Sequence, residues 1–153
     1  MRVQGLQKLT LLDYPGRTAC TVFLSGCNFR CPFCHNAPLL TAADEDGMDE
    51  DELLAFLKKR QGLLDGVAVT GGEPLLRPEL PALLEKIKAL GYAIKLDTNG
   101  AFPERLKAVV CAGLADYVAM DIKNSPARYA ETAGVPGLAL TPIFRSVSFL
   151  LRG

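Results

Sequence analysis

Three cysteines crowd into eight residues of this chain, at Cys27, Cys31 and Cys34 of the stretch SGCNFRCPFCHN. Thiolates ligate metals and clusters or carry out redox exchange, so the Cys-x3-Cys-x2-Cys spacing narrows the chemistry to a few kinds. A structural zinc site takes four protein ligands in a closed tetrahedron. His35 follows Cys34 directly, and sequence neighbours rarely reach one metal from the same side, so zinc would need a fourth ligand from Cys20 or Cys111. A thioredoxin-like pair would use Cys31 and Cys34 and leave Cys27 without a task. An iron–sulfur cluster fits better. Three thiolates on a four-iron cube leave one iron without a protein ligand, and an open iron can contact a substrate. Away from this loop, GGEP at 71–74, DTNG at 97–100 and the Asp121/Lys123 pair of MDIK bring further polar and flexible groups.

Those groups need elements to position them. The run TACTVFL (18–24) is β-branched and aromatic, as in a buried strand, and GVAVT, YAIKLD and DYVAMDIK predict three more. Between them lie helical patterns. In MDEDELLAFLKKRQG, acids fill the first turn, Leu53, Leu54 and Leu57 share a face, and Lys58, Lys59 and Arg60 close the last turn. RPELPALLEKIKALG places Leu80, Leu83, Leu84, Ile87 and Leu90 on one stripe, with Pro78 and Pro81 near its start and Gly91 as a stop. FPERLKAVVCAG and TPIFRSVSFLLRG follow. This alternation predicts an α/β fold built on a parallel sheet. TAADEDGMDE (41–50) and NSPARYAETAGVPG (124–137) read as surface loops. Each strand ends in poor core material, so four polar clusters converge on the carboxyl rim of the sheet, where parallel α/β folds carry their sites.

The bulk properties exclude several classes of function. At 153 residues the chain is one domain's worth, 1–153, and about half its residues are hydrophobic. Lys plus Arg balances Asp plus Glu at 17 each, so neither a nucleic-acid face nor a polybasic membrane anchor is expected. No run suits a signal peptide or a membrane span, which predicts a soluble, cytoplasmic protein. Five cysteines in a reducing compartment favour metal binding or catalysis over disulfides, with Cys20 and Cys111 expected as small buried hydrophobes.

The loop CNFRCPFC, with an aromatic before its last cysteine, resembles the cluster loop of radical S-adenosylmethionine (radical SAM) enzymes. GGEP resembles that family's second-strand motif, and DTNG and MDIK resemble those of its glycyl-radical activating branch. GLQKLTLLDYPGRTACTVFLSGCNFRCPFCHN (5–36) is similar to activating proteins for anaerobic ribonucleoside-triphosphate reductase, with pyruvate formate-lyase activating enzymes next. The resemblance runs from about Gly5 to Lys123. It implies a partial parallel (β/α) barrel in which Cys27, Cys31 and Cys34 hold a [4Fe-4S] cluster and S-adenosylmethionine (SAM) chelates the open iron. It further implies SAM contacts from Phe33 beside the adenine, from Gly71, Gly72, Glu73 and Pro74, and from Asp97, Thr98 and Asn99. Glu73 would meet the SAM ammonium. Asp97, Thr98 and Asp121 would gather a monovalent cation, and Lys123 would neutralise the SAM carboxylate or touch the target chain.

The implied reaction is one-electron reduction of the sulfonium to give methionine and a 5′-deoxyadenosyl radical, which takes hydrogen from a glycine of a partner reductase. A flavodoxin- or ferredoxin-like donor would supply the electron. Rival expectations are a radical SAM enzyme acting on another protein or a small molecule, and a non-catalytic iron–sulfur or metal-binding fragment. Only about four strands can be counted, against six in the family barrel. An unpaired edge on the fourth would then invite the reductase or a second copy of the chain.

Overall fold

The computed structural model describes residues 1–41 and 47–152. Its strands are β1 (Arg2–Val3), β2 (Gly5–Thr10), β3 (Ala19–Leu24), β4 (Met48–Asp49), β5 (Gly66–Gly71), β6 (Ala93–Thr98) and β7 (Tyr117–Met120). The helices are α1 (Glu50–Lys59), α2 (Leu80–Ala89), α3 (Pro103–Cys111), α4 (Tyr129–Ala133) and α5 (Thr141–Leu151). A five-stranded sheet runs in the order β2-β3-β5-β6-β7. β3, β5, β6 and β7 are parallel, which confirms the expected α/β class.

Strand alternation divides the sheet into two faces. Cys20, Val67 and Ile94 lie in one cross-strand row, and Val22, Val69, Leu96 and Val118 in the next. These rows form the main core with Leu53 and Leu57 of α1, Leu80, Leu83, Leu84 and Ile87 of α2, and Leu106 and Val109 of α3. Each such side chain contributes roughly 1.5–3 kcal/mol by leaving water, so the helix-covered face anchors the sheet. The opposite face carries the row Thr21, Ala68, Lys95 and Tyr117. Tyr14, 3% exposed, covers its amino-terminal end, with its ring 6.1 Å from that of Tyr117.

Several expectations need correction. The sheet gains an antiparallel strand, β2, whose register against β3 shifts between Gln7 and Thr10. A small β1–β4 pair lies beside it. β4 falls at the end of the segment expected as a loop over 41–50, while 42–46 lie outside the described residues. The segment 124–137 is not merely a loop. It contains α4, with Tyr129 and Ala133 buried four residues apart on one face. Cys111 is exposed on the last turn of α3, whereas Cys20 is buried as expected. The fourth predicted strand is shorter than DYVAMDIK. It ends at Met120, so Asp121 and Lys123 stand beyond it on the rim.

α1 starts as predicted. Asp49 precedes it, its backbone N–H donating to the Glu52 carboxylate at 3.2 Å, as in a capping box. Glu50 then joins α1 to α2 through an ion pair with Lys86. No helix of the described residues is long and apolar enough to cross a membrane.

Candidate functional site

A cleft of about 490 Å³ opens at the carboxyl ends of the parallel strands. Cys27, Cys31 and Cys34 line it, with Phe33, and face Gly71, Gly72, Thr98 and Asn99. Lys95, Asp97, Asp121 and Lys123 line it on the β6–β7 side, with Ala119.

The cysteine loop is fixed at several points. Gly26 N–H donates to the Leu39 carbonyl at 2.9 Å, and Arg30 N–H to the Ala133 carbonyl at 2.8 Å. Phe29, 2% exposed, inserts into a second apolar cluster with Tyr129, Ala133 and Ile143. α4 ends at Gly134 in the left-handed region (φ +65°), where an added Cβ would strike the Arg30 carbonyl. Only glycine lets the helix end sit so close to the loop.

β5 also approaches the loop backbone to backbone. A Cβ on Gly71 would overlap Leu24 O, and one on Gly72 would overlap Gly26 O. Gly72 N–H donates to Leu24 O at 2.9 Å and Glu73 N–H to Gly26 O at 2.8 Å. The two glycines therefore bring this strand tip against the cysteine loop as well as onto the cleft surface.

Glu73 and Pro74 are absent from the cleft lining, and both are buried. The Glu73 side chain is 0% exposed. Its Oε1 accepts from Leu75 N–H at 3.0 Å and Thr98 Oγ1 at 2.9 Å, and its Oε2 from Asn99 N–H at 2.7 Å. Burial pushes this carboxyl up despite those hydrogen bonds. The acid caps a short 3-10 turn at Pro74–Leu76 and braces β5 to β6. Asn99 extends the brace, its Nδ2 donating to Asn28 Oδ1 at 2.8 Å and lying 3.9 Å from Cys27 Sγ.

All five cysteines are free thiols. Cys27 Sγ accepts from Phe29 N–H at 3.4 Å. Burial pushes the Cys27 and Cys31 thiols up, and Lys123 draws Cys31 partly back. Among the described residues no three His, Cys, Asp or Glu side chains are grouped as one metal ion would require. A four-iron cube makes a different demand, because each thiolate takes its own iron. The three sulfurs must border one space rather than meet at a point, and they do line one cleft. Neither Cys20 nor Cys111 lines it, and burial pushes the Cys20 thiol up to about 11. The donor set thus suits a cluster with three protein ligands.

Lys95 was not singled out from sequence. It is 7% exposed, faces the cleft and pairs with Asp97. Its signal was a lone charge inside an apolar parallel strand, two residues from Asp97 and hence on the same face. Asn28 and Asn36 were also missed. Asn36 Nδ2 donates to the Gly71 carbonyl at 3.2 Å.

The radical SAM superfamily pattern matches residues 21–144, and the chain belongs to that superfamily. It is 34% identical over 133 residues to a Methanocaldococcus jannaschii protein described as a glycyl-radical enzyme activating enzyme, covering 84% of this chain and 53% of that one. It is 35% identical over 133 residues to the pyruvate formate-lyase-activating enzyme of Clostridium pasteurianum, covering 80% and 52%. A 7-carboxy-7-deazaguanine synthase of Hyperthermus butylicus is 33% identical over 135 residues, covering 84% and 51%. The chain therefore spans about half the length of these relatives. The solved structure of TYW1 with a lysine-pyruvate adduct bound matches with a TM-score of 0.62 at 15% identity, covering 88% of this chain and 52% of that one, a likeness of fold. Superfamily membership implies a [4Fe-4S] cluster and SAM as cofactors.

Proposed function

We propose that this chain is the radical SAM core of a glycyl-radical activating enzyme whose protein substrate is an anaerobic ribonucleoside-triphosphate reductase. The observation that carries the reading is the cleft itself, where three thiols face the tips of the strands bearing GGEP, DTNG and MDIK. Cys27, Cys31 and Cys34 would hold the cluster, which supplies one-electron reduction of SAM when bound. Phe33, 55% exposed, offers a ring to the adenine at the mouth. Gly71, Gly72, Asp97, Thr98, Asn99, Asp121 and Lys123 would bind and orient SAM, and Glu73 with Pro74 would hold that wall in place from behind. A flavodoxin- or ferredoxin-like protein is the expected electron donor.

Relatives described as glycyl-radical activating and pyruvate formate-lyase-activating enzymes support a protein substrate. β7 stands at the edge of the sheet, where the reductase or a second copy of this chain would add a strand. A small-molecule reading is favoured by relatives named 7-carboxy-7-deazaguanine synthase and GTP 3′,8-cyclase.

Anaerobic reconstitution with iron and sulfide, followed by dithionite and SAM, tests the class. Release of 5′-deoxyadenosine is expected, and a loaded cluster that leaves SAM intact would overturn it. A glycyl-radical signal in an added anaerobic reductase is the expected sign of the activase. SAM turnover with no such signal would favour the small-molecule reading.

A further inference from the structure

Two acids and two lysines share the β6–β7 side of the cleft. Lys95 lies in register with Ala68 and Tyr117, and the small Ala68 leaves its long side chain room on the open face of the sheet. Its ammonium meets the Asp97 carboxylate, and Lys123 Nζ meets Asp121 Oδ2 at 2.8 Å. The two lysine side chains are largely covered, at 9% and 18% exposure, while the Asp121 carboxylate that meets Lys123 is open to solvent.

The monovalent cation implied by the sequence resemblance would need Asp97, Thr98 and Asp121 as a set. That set does not fit an ion in this chain. Each carboxylate already holds an ammonium. The Thr98 hydroxyl donates to Glu73 and accepts from Gly100 N–H at 3.1 Å. A cation approaching either acid would meet an ammonium of like charge already paired with that acid. At Asp97 this happens among largely covered side chains, and at Asp121 on a carboxylate open to water. We propose that Lys95 and Lys123 supply the positive charge that a bound monovalent ion would otherwise provide, so that the cleft takes up SAM without such an ion. This rests on reading the cleft as the SAM site.

Equilibrium dialysis of SAM into the reconstituted protein tests it, in potassium chloride and in tetramethylammonium chloride at one ionic strength. The unaltered protein should bind equally in both salts. Lys95→Met should lose on the order of tenfold in tetramethylammonium, as expected for one charge-assisted contact, and regain it in potassium. Lys95→Arg, which keeps the charge, should stay indifferent to the salt. A tenfold dependence on potassium in the unaltered protein would overturn the proposal, as would a Lys95→Met variant that ignores the salt. Thermal melting before cluster loading gives a second readout: potassium should raise the midpoint of Lys95→Met and leave that of the unaltered protein unchanged. If SAM binds in neither salt, the reading of the cleft as a SAM site fails, while the melting comparison still decides where the charge comes from.

Discussion

Cys27 combines two roles that one substitution can separate. Its sulfur is a proposed cluster ligand, and it also accepts a hydrogen bond within its own loop. Cys27→Ala should reduce iron from about four per chain to a trace and abolish SAM cleavage. Cys27→Ser should do the same while keeping a hydrogen-bonding atom in the loop. Iron and sulfide analysis after anaerobic reconstitution checks both. Glu73→Ala should cost roughly 1–3 kcal/mol, because Leu75 N–H, Asn99 N–H and the Thr98 hydroxyl lose their acceptor in the interior. Urea unfolding of the unloaded protein measures this, and an unchanged midpoint would show that the carboxylate is not the brace. The cysteine trio was legible because its spacing is contiguous in sequence. The direction of Glu73 was not, since GGEP alone cannot say whether its acid turns outward to a ligand or inward to the next strand. Lys95 was hidden for a related reason: its partner and its burial are set by neighbouring strands.

Among the elements, those with long apolar stripes were legible. Leu80, Leu83, Leu84 and Ile87 leave α2 a single way to face the sheet, and all four are buried. α4 escaped notice because five residues between Pro126 and Gly134 carry too little periodicity, and its buried face is only Tyr129 and Ala133. β2 escaped because an edge strand with exposed Gln7, Lys8 and Leu9 lacks the clean alternation of a covered one. α4 matters all the same, because its end rests on the cysteine loop. Gly134→Ala should destabilise the chain by about 1–3 kcal/mol, the cost of a strained backbone position. It should also speed iodoacetamide alkylation of Cys31 in the unloaded protein, and an unaltered rate would mean that the contact does not hold the loop. The joint between α1 and α2 should weaken in acid. The hydrogen bond from Lys86 leads in holding the Glu50 carboxyl below its ordinary value, against partial burial. Because the folded value is depressed, this stabilisation is present above the ordinary glutamate range and is lost as pH falls through the folded value. Melting curves of Glu50→Gln and the unaltered protein should therefore differ near neutral pH and converge in acid.

At the scale of the molecule, chemistry and support come from different stretches of chain. The recognisable motifs end at Lys123, yet Phe29 of the cysteine loop rests on Tyr129, Ala133 and Ile143. The superfamily match likewise continues to residue 144. A miniature trimmed to its signatures would keep every proposed cluster and SAM contact and still discard the floor on which the loop stands. A version that keeps this floor must include Ile143, so the stretch that looks most expendable to a gene designer is the one that supports the cysteine loop.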